Sequence, residues 1–253
     1  MIEKAKKYSE LSQGRFDITI APVTLLWGID TDHARTPSPE EIREALLYVG
    51  YSRILLDAEK QTVFLQKQGM KIDLGGIAKG FISQAIGNEY QKFEIKSALV
   101  SIGGNICTYG KKPDGNAFTL GIRDPESVSG EGLCGKLKAF DTVVSTSGAY
   151  ERYFEQDGKK YHHIFDPQTG YPAESDLLSV TVVSKDGGLA DYLSTTLYAA
   201  GSSFIPNYLN DSRFSVIVID NQKKVHISKT LADSFELAGD GYSLAEDSYG
   251  NAE

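Results

Sequence analysis

The chain opens on a polar helical pattern, Met1-Ile2-Glu3-Lys4-Ala5-Lys6-Lys7-Tyr8. It should stop at Gly14, where a left-handed residue can close a helix. Phe16-Asp17-Ile18-Thr19-Ile20 then alternates apolar with polar, which predicts the start of a strand or extended segment. A second helix is announced by Ser38-Pro39-Glu40-Glu41, with a capping hydroxyl, a first-turn proline and acids at the positive end of the dipole, and should run to about Tyr48. The apolar runs 53–56 and 62–65 predict a hairpin around Asp57-Ala58-Glu59-Lys60, with residues 66–73 continuing the sheet and delivering Asp73 to a strand end. A glycine-bearing turn leads to a helix over about 79–93 and to a strand at 98–102. Further strands are predicted at 119–122, 137–140, 179–183 and 215–219, with a helix over 189–200 between the last two.

Hairpins mixed with helices favour α+β over a doubly wound sheet. No Pro/Ser-rich linker divides the chain, so residues 1–238 read as a single domain of two intimately joined lobes. From Gly239 onward Gly, Ser, Asp and Glu accumulate without apolar periodicity, which predicts a mobile tail over 239–253.

Composition narrows the function. The 253 residues are 41% hydrophobic, with no run near the roughly 20 apolar residues that a membrane helix requires. A formal net charge of -8 and no cluster of Lys and Arg argue against a nucleic-acid partner. Cys107 and Cys134 are too few for a disulfide framework or a zinc site and read as buried or incidental thiols. The first residues do not form an export signal, so either the protein is cytoplasmic or its natural start has been removed.

Five segments could carry chemistry. Asp73-Leu74-Gly75-Gly76-Ile77-Ala78-Lys79-Gly80 puts a carboxylate, two glycines and a lysine before a helix, an arrangement that suits a phosphate but also an ordinary tight connection. Ser101-Ile102-Gly103-Gly104-Asn105 is either a turn or a place for backbone to approach a flat or anionic ligand. Ser145-Thr146-Ser147-Gly148, just beyond an apolar strand, and Arg152 could hold a phosphate or cap a helix. In Tyr161-His162-His163-Ile164-Phe165-Asp166-Pro167-Gln168-Thr169-Gly170, strand alternation would send the two histidines to opposite faces. That arrangement favours one acid/base candidate over a His-His metal pair. Asp191 and Thr195, four apart near a helix start, share a face on which oxygens could converge on a hard cation; Asp191 could equally be a cap.

Taken in order, these segments resemble the ApbE family of FAD:protein FMN transferases over nearly the whole chain. Gly14 to Pro22 with Leu26-Trp27-Gly28 is similar to the family's G-x-F-D-x-T-x-x-P and W-G segment, Asp73 to Gly80 to D-L-G-x-I-A-K-G, and Gly103-Gly104-Asn105 to G-G-N. Ser145 to Gly148 is similar to T-S-G, His163 to Gly170 to H-I-x-D-P-x-T-G, and Asp191 with Thr195 to A-D-x-x-x-T. Any one of these short patterns is weak evidence, whereas six in the family's order are hard to obtain by chance.

The resemblance implies that FAD contacts Arg15, Phe16, Asp17, Asp73, Lys79 and the backbone of Phe165. It implies Mg2+ held by the carbonyl of Gly76 with Asp191 and Thr195; Ser194 stands where some members carry a second Asp. His163 would take the proton of an acceptor threonine as it attacks the FMN-side phosphorus and AMP departs. The implied acceptor is a flavoprotein with a Thr-containing motif, a redox-complex subunit or an FMN-binding domain. Two other readings stay open: a FAD pyrophosphatase giving FMN and AMP, and a non-catalytic flavin-binding protein. Members usually begin with an export signal or lipoprotein anchor and an N-terminal strand that touches FAD. The expectation is therefore an N-terminally truncated chain whose full-length form is extracytoplasmic and membrane-anchored.

Overall fold

A computed structural model describes residues 1–127 and 130–246. The helices are α1 (Ile2–Leu11), α2 (Ala21–Trp27), α3 (Pro39–Leu46), α4 (Ala78–Tyr90) and α5 (Gly187–Ala200). The strands are β1 (Ile54–Asp57), β2 (Thr62–Leu65), β3 (Ser97–Ile102), β4 (Asn105–Gly110), β5 (Phe118–Arg123), β6 (Leu133–Ala139) and β7 (Thr142–Ser147). They continue with β8 (Tyr153–Gln156), β9 (Lys159–His162), β10 (Leu177–Ser184), β11 (Phe214–Asp220), β12 (Lys224–Ile227), β13 (Phe235–Leu237) and β14 (Ser243–Leu244). No helix among the described residues is long and apolar enough to cross a membrane. The α+β class is as expected. The chain divides into two compact units, one formed by Met1–Gly76 with Ala149–Glu174 and the other by Ile77–Gly148 with Ser175–Glu253.

The first unit is built around Trp27. Its ring is fully buried, with the rings of Phe154, Tyr161, Phe165 and Tyr171 at centroid distances of 5.3 to 6.4 Å. Its Nε1 donates to the carbonyl of Gly170 at 2.9 Å, so the one polar atom of the indole is satisfied inside the core. α3 packs here through Ile42, and its start follows the sequence: Ser38 Oγ accepts from Glu41 N while Glu41 accepts from Ser38 N, a complete capping box. β1 and β2 form the expected hairpin.

Two expectations fail in this unit. Residues 16–20 are not extended, because the Asp17 carboxylate accepts from Thr19 N at 2.8 Å and caps a single 3-10 turn, Ile18–Ile20, which runs into α2. Residues 66–73 do not prolong the hairpin. Met70 N donates to Lys67 O in a turn, Gly69 sits at φ 95, and Asp73 N instead donates to Ile18 O at 2.7 Å. Asp73 thus lies in irregular chain, not at a strand end.

The second unit holds a seven-stranded sheet of order β14-β12-β11-β10-β7-β4-β3, antiparallel apart from the β12–β14 pair. Alternation divides it cleanly. Val144, Ile217, Ile219, Val225 and Ile227 face a three-stranded sheet, β13-β6-β5, and share its core with Leu120, Leu137 and Phe235. The other face carries Cys107, Val143 and Ser145 and is covered by α4 and α5, which also pack on each other. Ser145 and Ser147 lie within β7, not just beyond a strand as the sequence suggests. Both cysteines are free and buried.

Part of the predicted tail lies within the described residues. Tyr242 is buried and donates to Asp124 Oδ1, and β14 pairs with β12, while Asp240, Gly241, Ser243, Leu244 and Glu246 are exposed; the rest of the predicted tail, 247–253, lies outside the described residues.

Candidate functional site

In the first unit the G-x-F-D segment is a frame. Asp17, almost fully buried, accepts from Thr19 N and Thr19 Oγ1 through Oδ1 and from Tyr51 N through Oδ2, and Thr19 Oγ1 in turn accepts from Gly50 N at 2.7 Å. Burial pushes its carboxyl above the usual value, against the pull of these hydrogen bonds and of Arg53. Phe16 is buried beside it, its N–H bonded to Ser12 Oγ, while Arg15 remains partly exposed. Asp73 orders the turn that carries Gly76: Oδ1 accepts from Gly75 N at 2.7 Å and Oδ2 from Thr24 Oγ1 at 3.1 Å.

The two histidines differ in environment, but not through strand alternation: β9 ends at His162, and His163 falls in the bend beyond it. His162 is buried, with Nε2 at 3.0 Å from Ala173 O and Nδ1 accepting from Ile164 N at 3.3 Å. Both ring nitrogens are used in structure. His163 is half-buried, and its Nδ1 lies 3.2 Å from the carbonyl of Arg152. A carbonyl only accepts, so Nδ1 carries the hydrogen and Nε2 keeps the lone pair. Burial first, then the Arg152 and His162 charges, push this ring down to about 4, so it is a neutral base at ordinary pH.

Phe165, two residues on, is buried against Trp27 and bridges Pro172. The Asp-Pro turn that follows is closed by Gly170 N to Asp166 O at 2.8 Å and Gln168 N to Asp166 Oδ1 at 2.8 Å. Gly170 is at φ +72, and a Cβ there would stand 2.7 Å from Ile42 Cγ2, so only glycine fits.

In the second unit the chemistry gathers on Asp191, which is 2% exposed. α5 begins earlier than the sequence suggests, with Asp186 as its cap, so Asp191 sits in the second turn and is free of that duty. Its carboxylate reaches sideways to the start of α4: Oδ2 accepts from Gly80 N at 2.9 Å, and Oδ1 lies 3.4 Å from Lys79 Nζ and accepts from Ser145 Oγ at 3.3 Å. α4 has no capping side chain of its own, so Asp191 supplies the anion its positive end favours.

The approach depends on two glycines that the sequence pattern does not single out as a pair. A Cβ on Gly80 would meet Gly187 O at 2.0 Å, and one on Gly187 would meet Gly80 O at 2.1 Å, so α4 and α5 touch backbone to backbone. One turn along α5, Thr195 Oγ1 lies 3.3 Å from Ser147 Oγ, and Ser194 Oγ is 2.9 Å from the same hydroxyl. Gly103 and Gly104, at φ 52 and 89, form the two-residue turn of the β3–β4 hairpin, and a Cβ on Gly103 would meet Lys79 Cδ at 3.0 Å.

Lys79, Asp191 and Thr195 are thus gathered in the second unit, with Ser145, Ser147 and Ser194 added to them. Arg15, Phe16, Asp17, Asp73, Gly76, His163 and Phe165 belong to the first. No group of three or more His, Cys, Asp and Glu able to hold a metal occurs among the described residues. The donor set on α5 and β7 is one carboxylate and hydroxyls, with an ammonium already beside the carboxylate. Such a set fits a hard cation that takes the rest of its shell from water and phosphate, the usual binding mode of magnesium.

The chain belongs to the ApbE family, whose sequence model matches residues 1–218. It is 38% identical over 201 residues to a FAD:protein FMN transferase from Klebsiella pneumoniae (strain 342), covering 79% of this chain and 61% of that protein. A protein of the same name from Treponema pallidum (strain Nichols) is 37% identical over 214 residues, covering 79% and 59%. The chain therefore spans about three fifths of the length of these curated relatives. Among solved structures, the ApbE protein from Thermotoga maritima superposes with a TM-score of 0.81 at 35% identity, covering 90% of this chain and 74% of that one. The flavin transferase ApbE from Vibrio cholerae gives 0.79 at 28% identity, covering 92% and 75%. The mixed α+β fold is that of ApbE structures.

Proposed function

We propose that this protein transfers the FMN half of FAD to a threonine hydroxyl of an acceptor protein and releases AMP, with Mg2+ as cofactor. The likeness to proteins named FAD:protein FMN transferase supports the reaction class. The single structural observation that carries the chemistry is the buried Asp191 carboxylate facing Lys79 Nζ at the head of α4.

In this reading Asp191 and Thr195 hold the cation together with the Gly76 carbonyl, and Lys79 binds the pyrophosphate. When bound, the cation supplies Lewis-acid polarisation of the phosphorus and charge neutralisation for departing AMP. His163 takes the acceptor hydroxyl proton at Nε2, the nitrogen that its hydrogen bond to Arg152 leaves basic. The threonine oxygen bonds to the FMN-side phosphorus as the bond to the AMP oxygen breaks. Arg15, Phe16, Asp17, Asp73 and the backbone of Phe165 shape the flavin side. The acceptor is a redox-complex subunit or FMN-binding domain with a Thr-containing motif, and the full-length protein acts outside the cytoplasm from a membrane anchor.

The test is mass spectrometry of a candidate acceptor domain incubated with this protein, FAD and Mg2+. The acceptor should gain one FMN less a water, with AMP released in equal amount. Free FMN beside an unmodified acceptor would make water the nucleophile, and unchanged FAD would reduce the protein to a flavin binder.

A further inference from the structure

Asn105 is 1% exposed, and neither its Oδ1 nor its Nδ2 has a hydrogen-bond partner; with the Thr36 hydroxyl these are the buried side-chain atoms so placed among the described residues. A buried carboxamide that bonds to nothing is costly, because both its donor and its acceptor lose water without replacement. Leucine would fill much the same volume without that penalty.

Its position is specific. Asn105 opens β4 directly after the Gly103-Gly104 turn, over which the Lys79 side chain lies. It shares a face with Cys107, whose Sγ would be 2.9 Å from a Cβ on Gly87 of α4, so this is the face that α4 covers. Ile106 stands opposite Val144 in the β4–β7 ladder, and one step further along that register Asn105 is beside Ser145, the hydroxyl bonded to Asp191 Oδ1. The register therefore places the unsatisfied carboxamide next to Ser145, on the sheet face where the Lys79–Asp191–Ser145 cluster lies.

We propose that Asn105 is a ligand-binding residue of this cluster: Nδ2 donates to a phosphoryl oxygen, and Oδ1 accepts from a water of the cation that accompanies it. The proposal rests on the phosphate-binding part of the proposed function, not on transfer to a protein. A magnesium-bound diphosphate matches a group with one unused donor and one unused acceptor. A carboxylate at this position would offer only the acceptor, and a hydroxyl would have to donate and accept through a single atom.

The experiment compares the full chain with Asn105→Leu and Asn105→Asp, using inorganic pyrophosphate with Mg2+ as the probe in calorimetric titration, and thermal unfolding without ligand. Asn105→Leu should weaken pyrophosphate binding about tenfold, as loss of a hydrogen bond to a charged group does. It should also leave the melting temperature unchanged or raise it by about 2–4 °C, since an unsatisfied group is removed. Asn105→Asp keeps the shape, loses the donor and adds a charge, and should weaken the same binding even if the leucine variant does not fold. Unchanged affinity in either folded variant would overturn the proposal. A lower melting temperature in Asn105→Leu, which would mark the carboxamide as a structural hydrogen-bonding group, would overturn it too, as would no Mg2+-dependent binding of pyrophosphate by the unmodified chain. If FMN transfer fails while pyrophosphate binding depends on Asn105, the proposed function falls and this inference stands; if transfer succeeds and Asn105→Leu binds normally, the reverse holds.

Discussion

His162 and His163 are neighbours in sequence with different fates. The Nδ1 bond of His163 to Arg152 O leaves Nε2 basic, whereas both nitrogens of His162 are tied into the chain at Ala173 and Ile164. His163→Ala should lower the rate of FMN transfer about 100-fold or more with FAD binding little changed, as removal of a general base does. His162→Ala should act on the melting temperature instead. Parallel losses of rate and stability in both variants, measured by single-turnover kinetics and calorimetry, would count against the division. Burial holds His163 neutral in the folded chain down to about 4, while an unfolded histidine protonates near 6.5. The unfolded state therefore binds more protons in that window, and stability should fall as pH drops from about 6.5 to about 4. Burial shifts His162 in the same direction, so the two effects add. Denaturant titrations at stepped pH check the sign. Asp191→Asn keeps volume and removes charge, and should raise the Mg2+ needed for half-maximal transfer by at least about tenfold; activity that persists in excess chelator would remove the cation from the reaction.

At the scale of elements, local chemistry was readable and distant partners were not. Ser38, Pro39 and Glu41 announce α3 because a capping box is made within four residues. The hairpin of β1 and β2 and the cores of β10 and β11 were likewise legible from short apolar runs. Residues 16–20 misled because their alternation is real, yet Asp17 caps a turn whose other partners lie at Gly50 and Tyr51. The start of α5 was set too late because Gly187 and Gly188 have poor helix propensity. The reason for Gly187 is across the unit, at Gly80. The candidate site was legible as a set of motifs, but the pairing of Gly80 with Gly187, the contact of Ser145 with Asp191 and the burial of Asn105 needed the fold. Gly80→Ala tests the helix crossing. With a carbonyl 2.0 Å from the new methyl, the helices must separate, at a cost of about 3 kcal/mol, and the Gly80 N–H leaves Asp191. Denaturant unfolding should show that loss together with weaker Mg2+ dependence, whereas near-native stability would mean that α4 and α5 can part freely.

On the scale of the whole molecule, the first unit is assembled from two stretches of chain separated by 72 residues of the second, Ile77–Gly148. Trp27 comes from the earlier stretch, and its ring partners Phe154, Tyr161, Phe165 and Tyr171 from the later one. Residues 1–76 alone should therefore fail to bury the indole. The sequence contains one tryptophan, so the protein carries a built-in fluorophore that belongs to one unit alone. Its emission should redden when solvent reaches the ring, and it should do so on acidification, because the two histidines that resist protonation lie in the same unit. Far-ultraviolet ellipticity spans both units, because α1, α2 and α3 lie in the first and α4, α5 and the seven-stranded sheet in the second. An optical signal confined to the first unit can thus be set beside one that reports the whole chain, in an unlabelled, unmodified protein, and a proton titration can be read on the half of the protein where it acts.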